Sequence, residues 1–322
     1  MKFRRVFFQT GLILSLIGLI IGKMQYENYH LVLLENGPAS NIISDENGNL
    51  LANSFNIQLR SLNFDYHPSY KVKQVSAKIT CSYSEENRNL HLSVNHPARF
   101  HQYNIYVKDY WSSSGQNPAG VRLSLVKQPG QWLVYWGLIL LMAASLWKAF
   151  LIVRYEYSVL SNISRRILFA LIVTVALVLL LNPMMRGNLP PILRSVWFYP
   201  HVFFFVLSYA LLLTSFVTSL LRMEYDLRSY FCFRLGILTY TVGLALGMIW
   251  AKAAWGDFWS WDPKETAALI TWIVCQIAFH YTDTCKELTD RKWILWQSVC
   301  FLCLLLSWFG VQLFKMGGLH VY

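Results

Sequence analysis

Charged side chains are scarce in this chain. Asp, Glu, Lys and Arg make up 14% of the 322 residues against 55% hydrophobic ones, a balance too apolar for a soluble protein of this length. The chain therefore reads as a membrane protein. Phosphate-cradling and zinc-protease motifs are missing as well. There is no G-x-x-x-x-G-K-[ST], no G-x-G-x-x-G and no H-E-x-x-H, so nucleotide-driven chemistry and zinc proteolysis lack their minimum parts. The six cysteines form no disulfide framework, and their only close pair, Cys300-Phe-Leu-Cys303, sits inside an apolar run and reads as helix packing.

What is abundant is hydrophobic length. Runs of the size needed to cross a bilayer, roughly 17 to 25 mostly apolar residues, lie at 6–21, 132–150, 167–184, 202–221, 235–250, 266–281 and 294–314, which makes seven. The first follows the basic stretch Met1-Lys-Phe-Arg-Arg5 but no small-x-small cleavage site, so it reads as a retained anchor rather than a signal peptide. The net charge of +11 does not point to nucleic acid, because its distribution follows the spans. With a cytoplasmic N-terminus, the inner segments carry Lys2, Arg4, Arg5, Lys148, Arg154, Arg165, Arg166, Arg222, Arg228, Arg234, Lys286, Arg291 and Lys292, the positive-inside signal. The expected fold is a polytopic α-helical membrane protein of about seven transmembrane helices, with a small extracytoplasmic antiparallel β domain between helices 1 and 2.

That β domain occupies residues 23–131, after an anchor at 1–22 and before a second transmembrane helix at 132–153; a helical domain fills 154–322. Ser76-Ala-Lys-Ile-Thr-Cys-Ser-Tyr83 and Leu90-His-Leu-Ser-Val94 alternate as strands around the polar turn Glu85-Glu-Asn-Arg-Asn89, and residues 101–111 and 121–125 alternate too. Five of the eight histidines fall here without metal-ligand spacing and read as surface residues.

The helical half contains one stretch that an ordinary membrane loop does not: Trp255-Gly-Asp-Phe-Trp-Ser-Trp-Asp-Pro-Lys-Glu265. One or two indoles would be an interfacial belt. Three, with acidic residues interleaved, offer flat polarisable faces for a planar apolar ligand. Asp262-Pro-Lys-Glu265 also reads as a helix start, with Asp at the N-cap, Pro at N1 and Glu at N3. Asp257 and Asp262 could neighbour haem propionates through water, act as general acids, or staple the loop. His201 and His320 sit at outer helix ends on the side of this loop, whereas His280 lies inside a span. Two imidazoles above and below a plane, beside an aromatic shelf, describe a bis-histidine haem site. His280 could ligate iron within the membrane or make a helix-end hydrogen bond.

The Trp-rich stretch resembles the WWD motif of haem-handling proteins, and the ending Gly318-Leu-His-Val-Tyr322 resembles the C-terminus of the CcsA (ResC) branch. His201 and His320 are placed like that branch's two external histidines, and His280 in Ile277-Ala-Phe-His-Tyr281 like its intramembrane one. Ser93-Val-Asn-His-Pro97 followed by Tyr103-Asn-Ile-Tyr106 looks like part of the CcsB (ResB) partner. The resemblance implies a system II cytochrome c synthase: an abbreviated CcsB-like portion fused to a CcsA portion in a bacterial inner membrane. Haem b would be both substrate and bound cofactor, and apocytochrome c with its C-x-x-C-H the client. His201 and His320 would be iron ligands, with Trp255, Trp259, Trp261 and Asp257 around the macrocycle. A thiol-reducing system is a further implied partner. The spans 6–21 and 132–150 lack the histidine that the family pairs with the intramembrane one, so an additional CcsB-like subunit is expected to supply it. The competing reading is an exporter or chaperone that presents haem without making thioether bonds.

Overall fold

The computed structural model describes residues 2–45, 47–114, 118–156, 189–223, 227–284 and 289–310. The expected third span at 167–184 and His320 with the C-terminal motif lie outside these residues. Helix α1, Lys2–Met24, leads directly into eight strands. These are β1 Glu27–Leu34, β2 Ser40–Ser44, β3 Leu50–Tyr66, β4 Val72–Tyr83, β5 Glu86–Ser93, β6 Ala98–Phe100, β7 Tyr103–Trp111 and β8 Gly120–Lys127. Helix α2, Gln131–Glu156, follows the last strand after three residues.

All strand pairs are antiparallel and form one sheet in the order β5-β4-β3-β2-β1-β8-β7-β6. Chain continuity shows that this sheet is rolled. Laid flat, eight strands would put β5 and β6 about 34 Å apart at about 4.8 Å per step. Yet only residues 94–97 join them, a link that reaches about 18 Å at most, and Ser93 and His96 close it with paired backbone hydrogen bonds of 3.0 and 2.9 Å. The roll encloses one core to which every strand contributes, including Leu31, Ile43, Phe55, Ile79, Leu92, Phe100, Ile105 and Leu123. In β4 the inward residues Val75, Ala77, Ile79 and Cys81 alternate with Ser76, Lys78 and Thr80, the period-2 pattern of a sheet with one wet face. Burial pushes the Cys81 thiol up to about 12, and its sulfur is a free core residue.

Two features depart from expectation. The turn after β4 is only Ser84 and Glu85, while Asn87, Arg88 and Asn89 pair with Ser82, Cys81 and Thr80. These polar residues belong to an outermost strand of the order, where side chains reach solvent. Strands β1 to β3 were not legible in the sequence. In β3, register shifts at 59–61 and 65–66 break the alternation, which erases the signal that identifies a strand.

The helical part comprises α3, Phe198–Arg222, α4, Leu227–Trp255, α5, Pro263–Thr284, and α6, Asp290–Leu305, which continues as a π turn over Leu306–Gly310. Among the described residues five helices are long and apolar enough to cross a membrane: α1, α2, α3, α4 and α6 with its π turn. The chain is a multi-pass membrane protein. Helix α5 covers the expected span 266–281 but carries Lys264, Glu265, Gln276, His280 and Asp283, and it does not join the five. Helix α4 is the axis of the bundle, with 72% of its most apolar window buried against 22 to 33% for the others. It packs against α2 through Ala245 and Ile249, and against α3, α5 and α6 through Phe233, Ile237 and Tyr240. At the end of the bundle away from the sheet, Trp293 Nε1 donates to Ser219 Oγ at 2.8 Å, and Ser215 Oγ donates to Gln297 Oε1 at 3.0 Å. These bonds fix α6 against α3, as polar groups do where water is excluded.

Candidate functional site

The Trp-rich loop joins the C-terminus of α4 to the N-terminus of α5, and the structure divides it in two. The second half is a capping box. Asp262 Oδ1 accepts from Lys264 N at 2.8 Å, while Glu265 Oε2 reaches back to Asp262 N at 3.3 Å and also accepts from Ser260 N at 2.9 Å. Three backbone donors at the loop and the helix start are thus satisfied, as Asp-Pro-Lys-Glu implies. Asp262 is only 5% exposed, and capping accounts for it.

The first half is a docking element. Phe258 is fully buried in the core of α2 and α4, edge-on to Tyr135 with ring centres 4.9 Å apart. Gly256 has φ +89°, and a Cβ there would lie 2.9 Å from Val126 Cγ2 and 3.0 Å from the Tyr106 ring. Only glycine accepts both conditions, so the backbone of the loop lies directly against the β domain. A polar node locks this contact. Lys252, 3% exposed, donates to Gln128 Oε1 and to Gly256 O, each at 2.7 Å. Gln128 Nε2 in turn donates to Asp257 Oδ1 at 2.9 Å, and that oxygen also accepts from Trp259 N at 3.4 Å. Asp257 therefore staples the loop, one of the three roles its sequence context allowed. Neither Gln128 nor Lys252 was singled out in the sequence; a lysine at the end of an apolar run was a usable signal, whereas Gln128 offered none.

Beyond Asp257 the loop turns outward. Trp259 and Trp261 stand edge to face with ring centres 6.3 Å apart. Trp259 Nε1 is shut off from solvent and finds no hydrogen-bond partner among the described residues. Trp261 is 65% exposed and adopts φ +58°, a left-handed conformation that costs a non-glycine residue about 1–2 kcal/mol. A strained, exposed indole beside one with an orphaned donor is the kind of outlier from which a ligand-contact role is inferred.

His201 is brought to the same end. It lies in the first turn of α3, where Pro200 is tolerated because its missing N–H would have no helical partner. The ring is held on three sides. Nδ1 lies 2.9 Å from Gly243 O of α4, the Trp250 indole is stacked at 5.7 Å and 29°, and Phe205 is edge-on at 4.9 Å. A carbonyl only accepts, so Nδ1 carries a proton, and in the neutral ring Nε2 then holds the lone pair. That is the tautomer of a metal-ligating imidazole whose second nitrogen is anchored to the protein. Trp250 continues the aromatic contact to Trp255 at 4.9 Å and donates from Nε1 to Ile192 O at 3.2 Å. The segment holding Ile192 is tied to the β domain by Asn95 Nδ2, which donates to Pro191 O at 2.8 Å. Trp250 is the link between His201 and the Trp-rich loop, and the sequence had shown it only as the end of a span.

His280 is not part of this cluster. It lies 17 residues along α5 from Pro263, about 26 Å from the loop end at about 1.5 Å per residue, on a shallow, open face of that helix shared with Trp272, Ile273, Gln276, Ile277 and Tyr281. Beside it, the Lys148 ammonium sits 3.9 Å above the Phe279 ring.

Residues 132–319 match the family model described as cytochrome c assembly protein. The chain belongs to that family. Residues 3–121 match the ResB-like family, so a ResB-like part and a cytochrome c assembly part are joined in one polypeptide, the CcsB/CcsA arrangement of system II. Similar proteins include the cytochrome c biogenesis protein CcsA of Cuscuta exaltata, 43% identical over 102 residues, 32% of each chain. CcsA of Chlamydomonas reinhardtii is 36% identical over 152 residues, 42% of each chain. The chain thus spans about a third to two fifths of the length of these relatives. Gln128 falls between the two family-matched stretches and bonds the loop of one to the end of the other.

Proposed function

We propose that this protein acts in cytochrome c biogenesis as a haem-handling synthase of a bacterial inner membrane, with the β domain and the Trp-rich loop on the outer face. Its substrates are haem b and an apocytochrome c carrying C-x-x-C-H. Each client thiol adds across a haem vinyl group, the S–C bond forming at one vinyl carbon while the hydrogen goes to the other. The contribution of this chain is positioning. His201 would hold the haem iron through Nε2, and His320 would hold it too, on the strength of the resemblance of its C-terminal motif. Trp255, Trp259 and Trp261 provide the shelf for the macrocycle, and Asp257 acts through Trp259, whose amide it holds. His280 belongs to a second site about 26 Å away along α5, nearly the depth of a bilayer core. A further CcsB-like subunit supplies the ligand that α1 and α2 lack, and a thiol-reducing system keeps the client cysteines reactive.

The observation that carries this reading is the 2.9 Å contact of His201 Nδ1 with the Gly243 carbonyl, which engages one ring nitrogen with the protein while a tryptophan contact joins the ring to the loop. Seating of the ResB-like domain on Gly256 favours the synthase over a bare exporter, because the client would meet the β domain and the loop together. The test is co-expression with an apocytochrome c in a host lacking its own maturation system. Haem that stays on the client through denaturation is the expected result. Co-purifying haem with an unmodified client, with any partner subunit supplied, would instead establish presentation without ligation.

A further inference from the structure

We infer that Gly247 of α4 is a positioning residue for His201, forming with the Gly243 carbonyl a seat that sets both the tautomer and the ring plane of the imidazole; this deepens the ligand assignment proposed above and rests on it. A Cβ at Gly247 would lie 2.6 Å from His201 Cε1 and 2.7 Å from Nδ1. The ring thus fills the space that a side chain at 247 would take. Gly243 and Gly247 are one turn apart on the same helix face, so the carbonyl that accepts from Nδ1 and the notch that admits the ring form one surface feature. Trp250 and Phe205 close the other sides. These contacts together define one orientation of the ring against α4.

Adding a single methyl group tests this. In Gly247→Ala the ring must retreat by about 0.8 Å, the difference between 2.6 Å and the 3.4 Å of ordinary contact. Because the retreat is away from α4, it stretches the 2.9 Å Nδ1···O bond. Loss of the hydrogen-bond partner behind a metal-binding imidazole typically weakens metal affinity about 10- to 100-fold. Helix α4 contains its own control. A Cβ at Gly236 would lie 2.9 Å from Leu212 Cγ and 3.0 Å from its Cδ2, a smaller overlap of about 0.5 Å against a side chain about three turns along α3 from His201.

The experiment compares Gly247→Ala, Gly236→Ala, His201→Ala and Gly247→Ala/His201→Ala in the full chain with bound haem, reading the absorption spectrum, the midpoint potential and recovery by added imidazole. We expect Gly247→Ala to shift spectrum and potential, Gly236→Ala to leave both unchanged, and the double variant to match His201→Ala, since a residue acting only through His201 has nothing further to perturb. An unchanged Gly247→Ala beside an altered His201→Ala overturns the seat and leaves the ligand assignment standing. Equal shifts in Gly247→Ala and Gly236→Ala overturn it as well, because the effect is then general helix packing. An unchanged His201→Ala sinks the ligand assignment and the seat together. A second measurement does not depend on the variants folding. In haem-free protein with ¹⁵N-labelled histidine, the His201 resonances should show Nδ1 protonated and Nε2 bare, and the opposite tautomer overturns the inference.

Discussion

The Lys252 node allows a prediction with a size attached. Lys252→Met keeps most of the stem and removes the ammonium that bonds Gln128 Oε1 and Gly256 O at 2.7 Å each. Gln128 cannot turn away to find a new partner, because its Nε2 is held by Asp257. Each buried acceptor stripped of its donor costs about 1–3 kcal/mol. With some relief from water entering at the loop, the net loss is about 2–4 kcal/mol, localised to the seat of residues 255–259. At about 1.4 kcal/mol per factor of ten, opening of the loop becomes about 30- to 1,000-fold more frequent. Amide hydrogen exchange reads this directly through Gly256 N, which donates to Lys252 O at 3.1 Å, and Trp259 N, which donates to Asp257. Replacing both partners, as in Lys252→Met/Gln128→Leu, should recover part of the loss, since an apolar pair leaves fewer orphaned groups. Unchanged exchange over 255–259 in the single variant, or a double variant that simply adds the two costs, would refute the reasoning.

Three shorter predictions accompany it. Asp262→Ala should lower the stability of the start of α5 by about 1 kcal/mol, with Ser260 to Lys264 exchanging faster while the exchange of α6 is unaltered. Gly256→Ala combines a left-handed backbone with overlap on Val126 and Tyr106; it should cost about 1–3 kcal/mol and shift the tryptophan emission of the loop as the seat loosens. Burial raises the Glu27 carboxyl, but hydrogen bonds from Lys127 at 2.6 Å and Tyr103 at 2.7 Å outweigh it and leave the pKa below its ordinary 4.5. A depressed carboxylate contributes stability that is full above 4.5 and is lost as pH falls through the folded value. Acidification below about 4.5 should therefore loosen the β1–β8 clasp by near-ultraviolet circular dichroism, and Glu27→Gln should flatten that part of the titration.

Local chemistry determined what could be read from the residues alone. The capping box is legible because Asp-Pro-Lys-Glu satisfies its own backbone within four residues, and the structure forms the same bonds. Strands β4, β5, β7 and β8 were visible, at least in part, through unbroken alternation, whereas β3 was hidden by its register shifts. His201 stood out as an imidazole at the end of an apolar run, but its ring contacts come from Gly243, Gly247 and Trp250, 42 to 49 positions away in a helix that reads as uniform hydrophobic packing. A carbonyl has no side-chain identity, so no residue type announces it as an acceptor. The Lys252 node was invisible for a related reason. Gln128 and Lys252 are 124 positions apart, and no local pattern relates a glutamine after a strand to a lysine near the end of a helix.

The division of the Trp-rich loop bears on why the two family-matched parts share a chain. Gly256 needs Val126 and Tyr106 of the β domain above it, Asp257 needs Gln128, and Phe258 needs Tyr135. All four partners lie on β7, β8, α2 or the link between the last two. Only Trp259, Ser260 and Trp261 remain outside this packing, and their path is set by the residues that are anchored. Without the β domain and the link that follows it, Gly256 would lose its roof and Asp257 its amide partner. The indoles would then be tethered through Phe258, Trp255 and the Asp262 cap, with the turn at 256–257 unsupported. In the proposed role, holding a flat ligand in one orientation calls for the β-domain contacts as well as these anchors. The β domain is thus part of the structure that gives the loop its shape, in addition to being a surface on which a client could dock.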